Sequence, residues 1–369
     1  MKVLVFAHTP PPHHGQARMV ELMLEALGDR TAHRTDQSSE IRCLHVNCRF
    51  SDSIDQVSRI QVGKIFRLFW YILQALAIRV SQGPIVLYYI PAPAKRGAIL
   101  RDWAILACLR PWFRTIVFHW HAAGLGYWAT GTPEFPLGPD QPPLIPPRLF
   151  GLVEPLARAL TRFLMGGAAR SIVLTDYQRN EAKLLKPRDT TVVPNGIPDP
   201  CPDFQETVLP QRLARLAARR AALAGSSSIP SNVLVFRCLF LALCTREKGL
   251  FTSMDAVARA NASLQDQSLP IRFHLTVAGA LVSHSEQEEF EHRLRQPDLE
   301  LPSGPGVNSL QSARAVTYVG FISGAEKDRL LRESDCLLFP TAFPNEVQPV
   351  SIIEALAYGL PTLVTAWRG

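Results

Sequence analysis

The stretch Phe343-Pro344-Asn345-Glu346-Val347-Gln348-Pro349-Val350-Ser351-Ile352-Ile353-Glu354-Ala355-Leu356-Ala357-Tyr358-Gly359-Leu360-Pro361 decides the reading of this chain. Pro349 is placed at a helix start, and Gly359 with Pro361 supplies the usual stop signal, which predicts a helix over 349–358. Between those marks the segment is apolar nearly all round, the pattern of a helix packed inside a protein. Glu354 stands in its middle. A buried carboxylate without partners is costly, so Glu354 must accept hydrogen bonds from something. Glu346 lies eight residues earlier, in the loop entering the same helix. Two acids flanking a helix N-terminus, which is a natural anion site, point to a ligand carrying both hydroxyls and phosphates.

Working outward, the rest of the chain alternates strand-like and helix-like segments. Strands are predicted at 2–7, 85–91, 115–120, 171–175 and 190–194, with helices at 16–28, 64–80, 98–110 and 150–165. The rhythm restarts after Gly196. Strands at 233–243, 271–278, 315–321, 335–339 and 361–365 then alternate with helices near 249–262, 285–295, 324–333 and 349–358. The expectation is α/β: two Rossmann-like, doubly wound domains facing each other across an interdomain cleft. The boundaries are 1–198 and 199–369, joined by a Pro-, Gly- and Asn-rich stretch at Pro194–Pro202. A basic amphipathic helix is expected over 209–224 and a loop at 296–309. Seven prolines in 133–147 exclude helix or central strand there and leave a rigid surface loop or a lid.

The chain has 369 residues, 47% hydrophobic and 19% charged, as in a folded protein long enough for two cores. Its seven cysteines are scattered without a Cys-x-x-Cys pair, which argues against a disulfide framework or zinc site and fits a reducing cytosol. Met1–Ala7 is too short an apolar run for a signal peptide, and Ile65–Val80 is interrupted by Arg67, Gln74 and Arg79, so no membrane span is expected. The net charge of +7 sits in the first half. Residues 59–114 hold nine basic residues and one acid, Asp102, interleaved with Phe66, Phe69, Trp70, Tyr71, Trp103, Trp112 and Phe113. Such a surface suits an enzyme resting on anionic lipid at the inner face of the cell membrane. The alternative packs the aromatics inward and solvates the arginines. No nucleic-acid motif accompanies the charge, so nucleic acid is not an expected partner.

Several of these segments resemble one family. Phe339–Gly369, with Glu346-x₇-Glu354, is similar to the hallmark segment of retaining glycosyltransferases of family four, which have the GT-B fold. Pro10-Pro11-Pro12-His13-His14-Gly15 resembles the loop after the first strand in that family, and His119-Trp120-His121-Ala122-Ala123-Gly124 its histidine loop. Val193-Pro194-Asn195-Gly196-Ile197 is similar to its interdomain motif, and Arg246-Glu247-Lys248-Gly249 to the basic turn opening the donor domain. The resemblance implies transfer of a hexose, with retained configuration, from a nucleotide-diphosphate sugar to a polysaccharide or lipid-linked glycan. It implies that Glu354 accepts the ribose hydroxyls, while Glu346 faces the donor sugar and supports a cationic transition state. Lys248 would neutralise the diphosphate, Gly15 would let backbone N–H groups reach the same phosphates, and His121 would contact the sugar or leaving group. Arg246, Asn195, Gln348, Pro349 and Val350 are assigned to the same donor site. No cofactor is implied beyond the donor substrate, and no metal.

The residues themselves keep other readings open. Glu354 could be salt-bridged within its domain, Lys248 and Arg246 could be solvated turn residues, and alternation along the strand puts His119 on the same face as His121. Three features depart from the family pattern. Val347 replaces the glycine many members carry after the first glutamate, and a valine resists positive φ. Leu243 stands where an arginine is common. The chain also ends at Gly369 right after a strand, which gives the expectation that its last helices are missing. The rival functions are a nucleotide-sugar 2-epimerase of the same fold and an inactive truncated module.

Overall fold

A computed structural model describes residues 1–11, 15–28, 41–50, 62–134, 148–224, 234–300 and 314–366. The proline-rich run therefore lies mostly outside the described residues, as do His13 and His14 and most of the loop at 296–309. The chain forms two compact units. One holds Met1–Gly196 together with Pro344–Pro349; the other holds Ile197–Phe343 and Val350–Trp367.

The first unit is a six-stranded sheet built from β1 (Lys2–Ala7), β2 (Arg42–Asn47), β3 (Val86–Tyr89), β4 (Ile116–Trp120), β5 (Arg170–Val173) and β6 (Thr190–Val192). Every pair is parallel, and the spatial order is β2-β1-β3-β4-β5-β6. The helices are α1 (Gly15–Gly28), α2 (Val62–Gln82), α3 (Arg96–Leu109), α4 (Leu125–Thr130), α5 (Glu154–Met165) and α6 (Asp176–Lys183). In β1, Val3 to Ala7 are all buried, as a central parallel strand covered on both faces requires. Leu4 and Phe6 enter one core with Ile72 of α2, Ile105 and Leu106 of α3 and Leu164 of α5. Val3, Val5 and Ala7 enter the opposite core, against Val20 of α1.

Three of these elements are absent from the sequence expectation. β2 is an edge strand whose residues are mostly half-exposed, so Arg42-Cys-Leu-His-Val-Asn shows no apolar run. α4 is too short for a helical period, and α6 is polar almost throughout. A local signal does mark α6: the Thr175 hydroxyl caps it by accepting from Gln178 N at 3.2 Å.

The second unit follows its expectation closely. Its strands are β7 (Leu234–Leu241), β8 (Ile271–Ala278), β9 (Val316–Gly320), β10 (Cys336–Phe339) and β11 (Thr362–Val364). They lie in the order β11-β10-β7-β8-β9, again all parallel. The helices are α7 (Leu209–Leu223), α8 (Leu250–Asp266), α9 (His284–Leu294), α10 (Gly324–Glu333) and α11 (Val350–Ala357). The basic face of α7 is structural. Arg212 donates to the carbonyls of Leu331 and Tyr358, while Arg215 and Arg219 pair with Asp335 at 3.0 and 2.5 Å. Burial alone would raise the Asp335 pKa; Arg219, the Arg237 N–H and Arg215 hold it below the ordinary value.

Each sheet reverses its strand order at one point. In the first unit β1 and β3 are neighbours, and the chain winds away from them on either side. In the second unit the same relation holds for β7 and β10. Crevices outside the carboxyl ends of such strand pairs are where open parallel sheets receive ligands. Residues 246–249 follow β7, and the Glu346 loop with α11 follows β10. Of the predicted donor-site segments, residues 246–249 and α11 thus follow the two strands that flank the switch point of the second sheet.

Candidate functional site

The loops after β7 and β10 are bonded to each other. Ala342 N donates to Glu247 O at 2.8 Å, and the Thr341 hydroxyl donates to the same carbonyl at 3.3 Å. Between them sits Gly249, which opens α8 with φ +87°. A Cβ there would lie 2.3 Å from the Pro340 carbonyl oxygen, so no side chain fits. Gly249→Ala should therefore cost about 2–4 kcal/mol, a left-handed backbone penalty plus a backbone clash. Chemical denaturation monitored by circular dichroism checks this, and a loss below about 1 kcal/mol would mean that the turn opens freely.

That closeness places Lys248. Its ammonium stands over the Phe343 ring at 4.5 Å and the Phe339 ring at 5.7 Å. The two aromatic faces attract the cation through their ring quadrupoles and carry no formal charge themselves. Arg246 is engaged elsewhere: its guanidinium ion-pairs with Glu289 of α9 and lies 4.8 Å from the Phe251 ring. Its backbone N–H donates to Glu286 at 2.9 Å. Arg246 and Lys248 thus have different partners, although they are two residues apart.

On α11, Glu354 has a partner of its own. Lys327 of α10 reaches its Oε1 at 2.6 Å, with both side chains partly exposed. The requirement that this acid be bonded is met inside the unit, from a helix with no local signal pointing to Glu354. The expectation of a fully buried helix is corrected. Among residues 350–357 only Ala355 is buried, and Leu356 is 60% exposed. The reason is position, since α11 covers β10 and the edge strand β11, whose Leu363 is also exposed. The residues after it are anchored firmly. The Tyr358 hydroxyl donates to Asp328 at 2.6 Å, and Gly359 takes φ +58° against the Phe204 ring.

The Glu346 loop packs within the first unit. Asn345 Nδ2 donates to Ala123 O at 2.7 Å, and Ala123 N returns a bond to Asn345 O at 3.3 Å. Val347 is buried against Ala123 and Leu174. A valine here is therefore a packing residue, and only Lys186 and Ser268 among the described non-glycine residues have positive φ. Gln348 Oε1 accepts from Asn195 N at 2.6 Å, and Asn195 Nδ2 donates to Gln348 O at 3.1 Å. Glu346 is thus held between two anchored neighbours. Pro349 and Val350 then lead directly into α11.

Ala123 lies two residues beyond His121, so the same contacts fix the histidine loop. The buried Gln178 holds that loop from α6, donating to Ala122 O at 3.1 Å. The rings of His119 and His121 lie 4.2 Å apart. His119 is the inner of the two. Its Nδ1 contacts the Tyr88 hydroxyl, its Nε2 is buried without a hydrogen-bond partner, and burial lowers its pKa to about 4. It is a neutral ring at pH 7 on which His121 rests. Gly15 is the first residue of α1, and Thr9, just after β1, is tied down by Asn47, whose side chain bonds it at 3.0 and 3.3 Å. The sequence reading missed Lys327, Gln178 and Asn47, because each acts on a residue remote in the chain.

Among the described residues no cluster of His, Cys, Asp or Glu is arranged to hold a metal ion. No described helix is long and apolar enough to cross a membrane.

Residues 236–369 match the family model of glycosyl transferases group 1. No curated protein matches the sequence. Among solved structures the chain is similar to the apo structure of OtsA, at 13% identity and a TM-score of 0.56, covering 99% of this chain and 84% of that one. A trehalose-6-phosphate enzyme structure from E. coli, bound with UDP-2-fluoro glucose, matches at 14% identity and a TM-score of 0.55, with the same coverage. A UDP-forming α,α-trehalose-phosphate synthase from Burkholderia vietnamiensis matches at 13% and 0.52, again covering 99% and 84%. At such identities the likeness concerns the fold, which is that of GT-B structures.

Proposed function

We propose that this chain, which carries a glycosyl transferases group 1 domain over residues 236–369 and has the GT-B fold, is a retaining hexosyltransferase using a nucleotide-diphosphate sugar. The observation that carries this reading is the junction at the second sheet's switch point. There one turn presents Lys248, and the strand beside it feeds the loop of Glu346 and the helix of Glu354. A cation suited to phosphates and two carboxylates suited to hydroxyls are the groups such a donor needs.

In the proposed reaction an acceptor hydroxyl bonds to the anomeric carbon of the hexose and passes its proton to the departing diphosphate oxygen. The bond from that carbon to the phosphate oxygen breaks, and the nucleoside diphosphate departs. Lys248 offsets the negative charge growing on the departing diphosphate, and Glu346 stabilises the positive charge developing on the sugar. Glu354 holds the ribose hydroxyls, exchanging or sharing its bond with Lys327. His121 contacts the sugar or the leaving group. Gly15, Asn195, Gln348, Pro349 and Val350 shape the donor site through backbone and side-chain amides. For Arg246 the diphosphate role requires leaving Glu289, so its contribution is secondary. The acceptor is a polysaccharide or lipid-linked glycan.

The test is thermal unfolding of the purified chain with UDP-, GDP- and ADP-glucose. Matched structures include a UDP-forming synthase and a complex with a UDP-sugar analogue, so UDP is the first base to try. A donor at one hundred times its Kd should stabilise the chain by about 2.7 kcal/mol, visible as a raised melting temperature. No shift with any of the three would remove this reading and leave an inactive module in its place.

A further inference from the structure

α2, α3 and α5 form one layer. Their inner residues Ile72, Ile99, Ile105 and Leu164 share a single core with alternate residues of β1, β3 and β4, and α3 contacts both α2 and α5. Their outer faces consequently point away from the same side of the sheet. The period on those faces is apolar. Phe66, Trp70 and Leu73 recur at i, i+4, i+7 along α2, and Leu156, Leu160 and Phe163 repeat the spacing along α5. All six are exposed, Phe66 at 72% and Phe163 at 75%. Large apolar side chains left exposed in a helical repeat on two helices of one layer mark a surface that something covers.

Its charges have one sign. The two acids in residues 62–114 and 148–165 are Asp102 and Glu154, and both are buried. Asp102 accepts from Tyr89, Ala92 N and Arg101 at 2.8–2.9 Å; Glu154 accepts from Trp128, Phe150 N and Arg158 at 2.5–3.1 Å. The exposed charges of these stretches, including Arg67, Arg96, Arg148 and Arg162, are all positive. A second copy of this face would bring like charges together, which opposes self-association. An anionic bilayer offers both complements, headgroup charge for the arginines and acyl chains for the aromatic and leucine side chains.

We infer that the outer face of the α2–α3–α5 layer docks on an anionic phospholipid surface, lying on it rather than crossing it. The inference stands apart from the donor reading, because none of its residues belongs to that site.

The experiment is co-sedimentation of the full chain with vesicles of phosphatidylcholine alone, or with about one third phosphatidylglycerol. Partitioning should be at least about tenfold stronger on the anionic vesicles and should weaken with added salt. Phe66→Ser/Trp70→Ser and, separately, Arg67→Glu/Arg162→Glu should each lower it by about tenfold or more. The charge pair keeps the test decisive if the first variant folds poorly. Both folded variants should retain any nucleotide-induced thermal shift, which separates failure here from failure of the donor reading. Equal partitioning onto neutral vesicles, or partitioning untouched by both variants, would overturn the inference. So would a dimer in solution that Phe66→Ser/Trp70→Ser dissolves while vesicles are ignored.

Discussion

Glu346→Gln should lower kcat by about two to three orders of magnitude while leaving nucleotide-induced stabilisation in place. Glutamine keeps the size and removes the charge, so the loop need not move. The loop is in any case anchored on both sides: Asn345 is bonded to Ala123, Val347 is buried, and Gln348 is bonded to Asn195. A carboxylate on so fixed a backbone is preorganised, which is the condition for stabilising charge that appears only in the transition state. Steady-state kinetics with the donor found by thermal shift, together with that shift in the variant, makes the comparison. A variant with unchanged kcat, or one that loses nucleotide binding to the same extent as turnover, would end the assignment of Glu346 to the sugar.

The second large effect is expected at Glu354, and it falls on binding. Glu354→Ala should weaken the nucleotide by about 10- to 100-fold, the range for losing hydrogen bonds to a charged acceptor. The Lys327 ion pair makes a control necessary, because the alanine also leaves that ammonium without its carboxylate. Both side chains are partly exposed, and such a pair contributes only about 0–1 kcal/mol to stability. Lys327→Ala should therefore fold normally and retain the nucleotide, since the carboxylate stays in place. Isothermal titration of the two variants decides between the roles. Equal losses in both would make Glu354 a structural acid and return the donor site to the open question the sequence posed.

Much of the fold was legible because its signals are local. β8 and α10 lie where alternation and apolar period placed them, at Ile271–Ala278 and Gly324–Glu333. β2 was not legible, because an edge strand has one flank without a neighbouring strand and its composition relaxes accordingly. The aromatic run of 59–114 was legible as composition and ambiguous as direction. Tyr71 and Trp103 pack toward the core as the inward alternative requires, whereas Phe66, Phe69 and Trp70 face water. Spacing along α2 separates the two sets, but which set faces the sheet depends on how the helix is rolled against it.

At the candidate site the division has the same origin. The sequence by itself named Glu346, Glu354, Lys248 and His121, and it fixed the punctuation around them: Pro349 before the helix, Gly359 and Pro361 after it, Gly249 in the turn. Only the tertiary structure decided that β7 and β10 are neighbours, and so that the Lys248 turn meets the loop leading to Glu346. It alone gave Glu354 to Lys327, Asn345 to Ala123, Arg246 to Glu289, and the neutral His119 ring to His121. Dihedral preference, capping and period act over a few residues and are written in the chain. Which remote groups meet is set by strand order and by the burial of whole faces, and those are properties of the packed sheet.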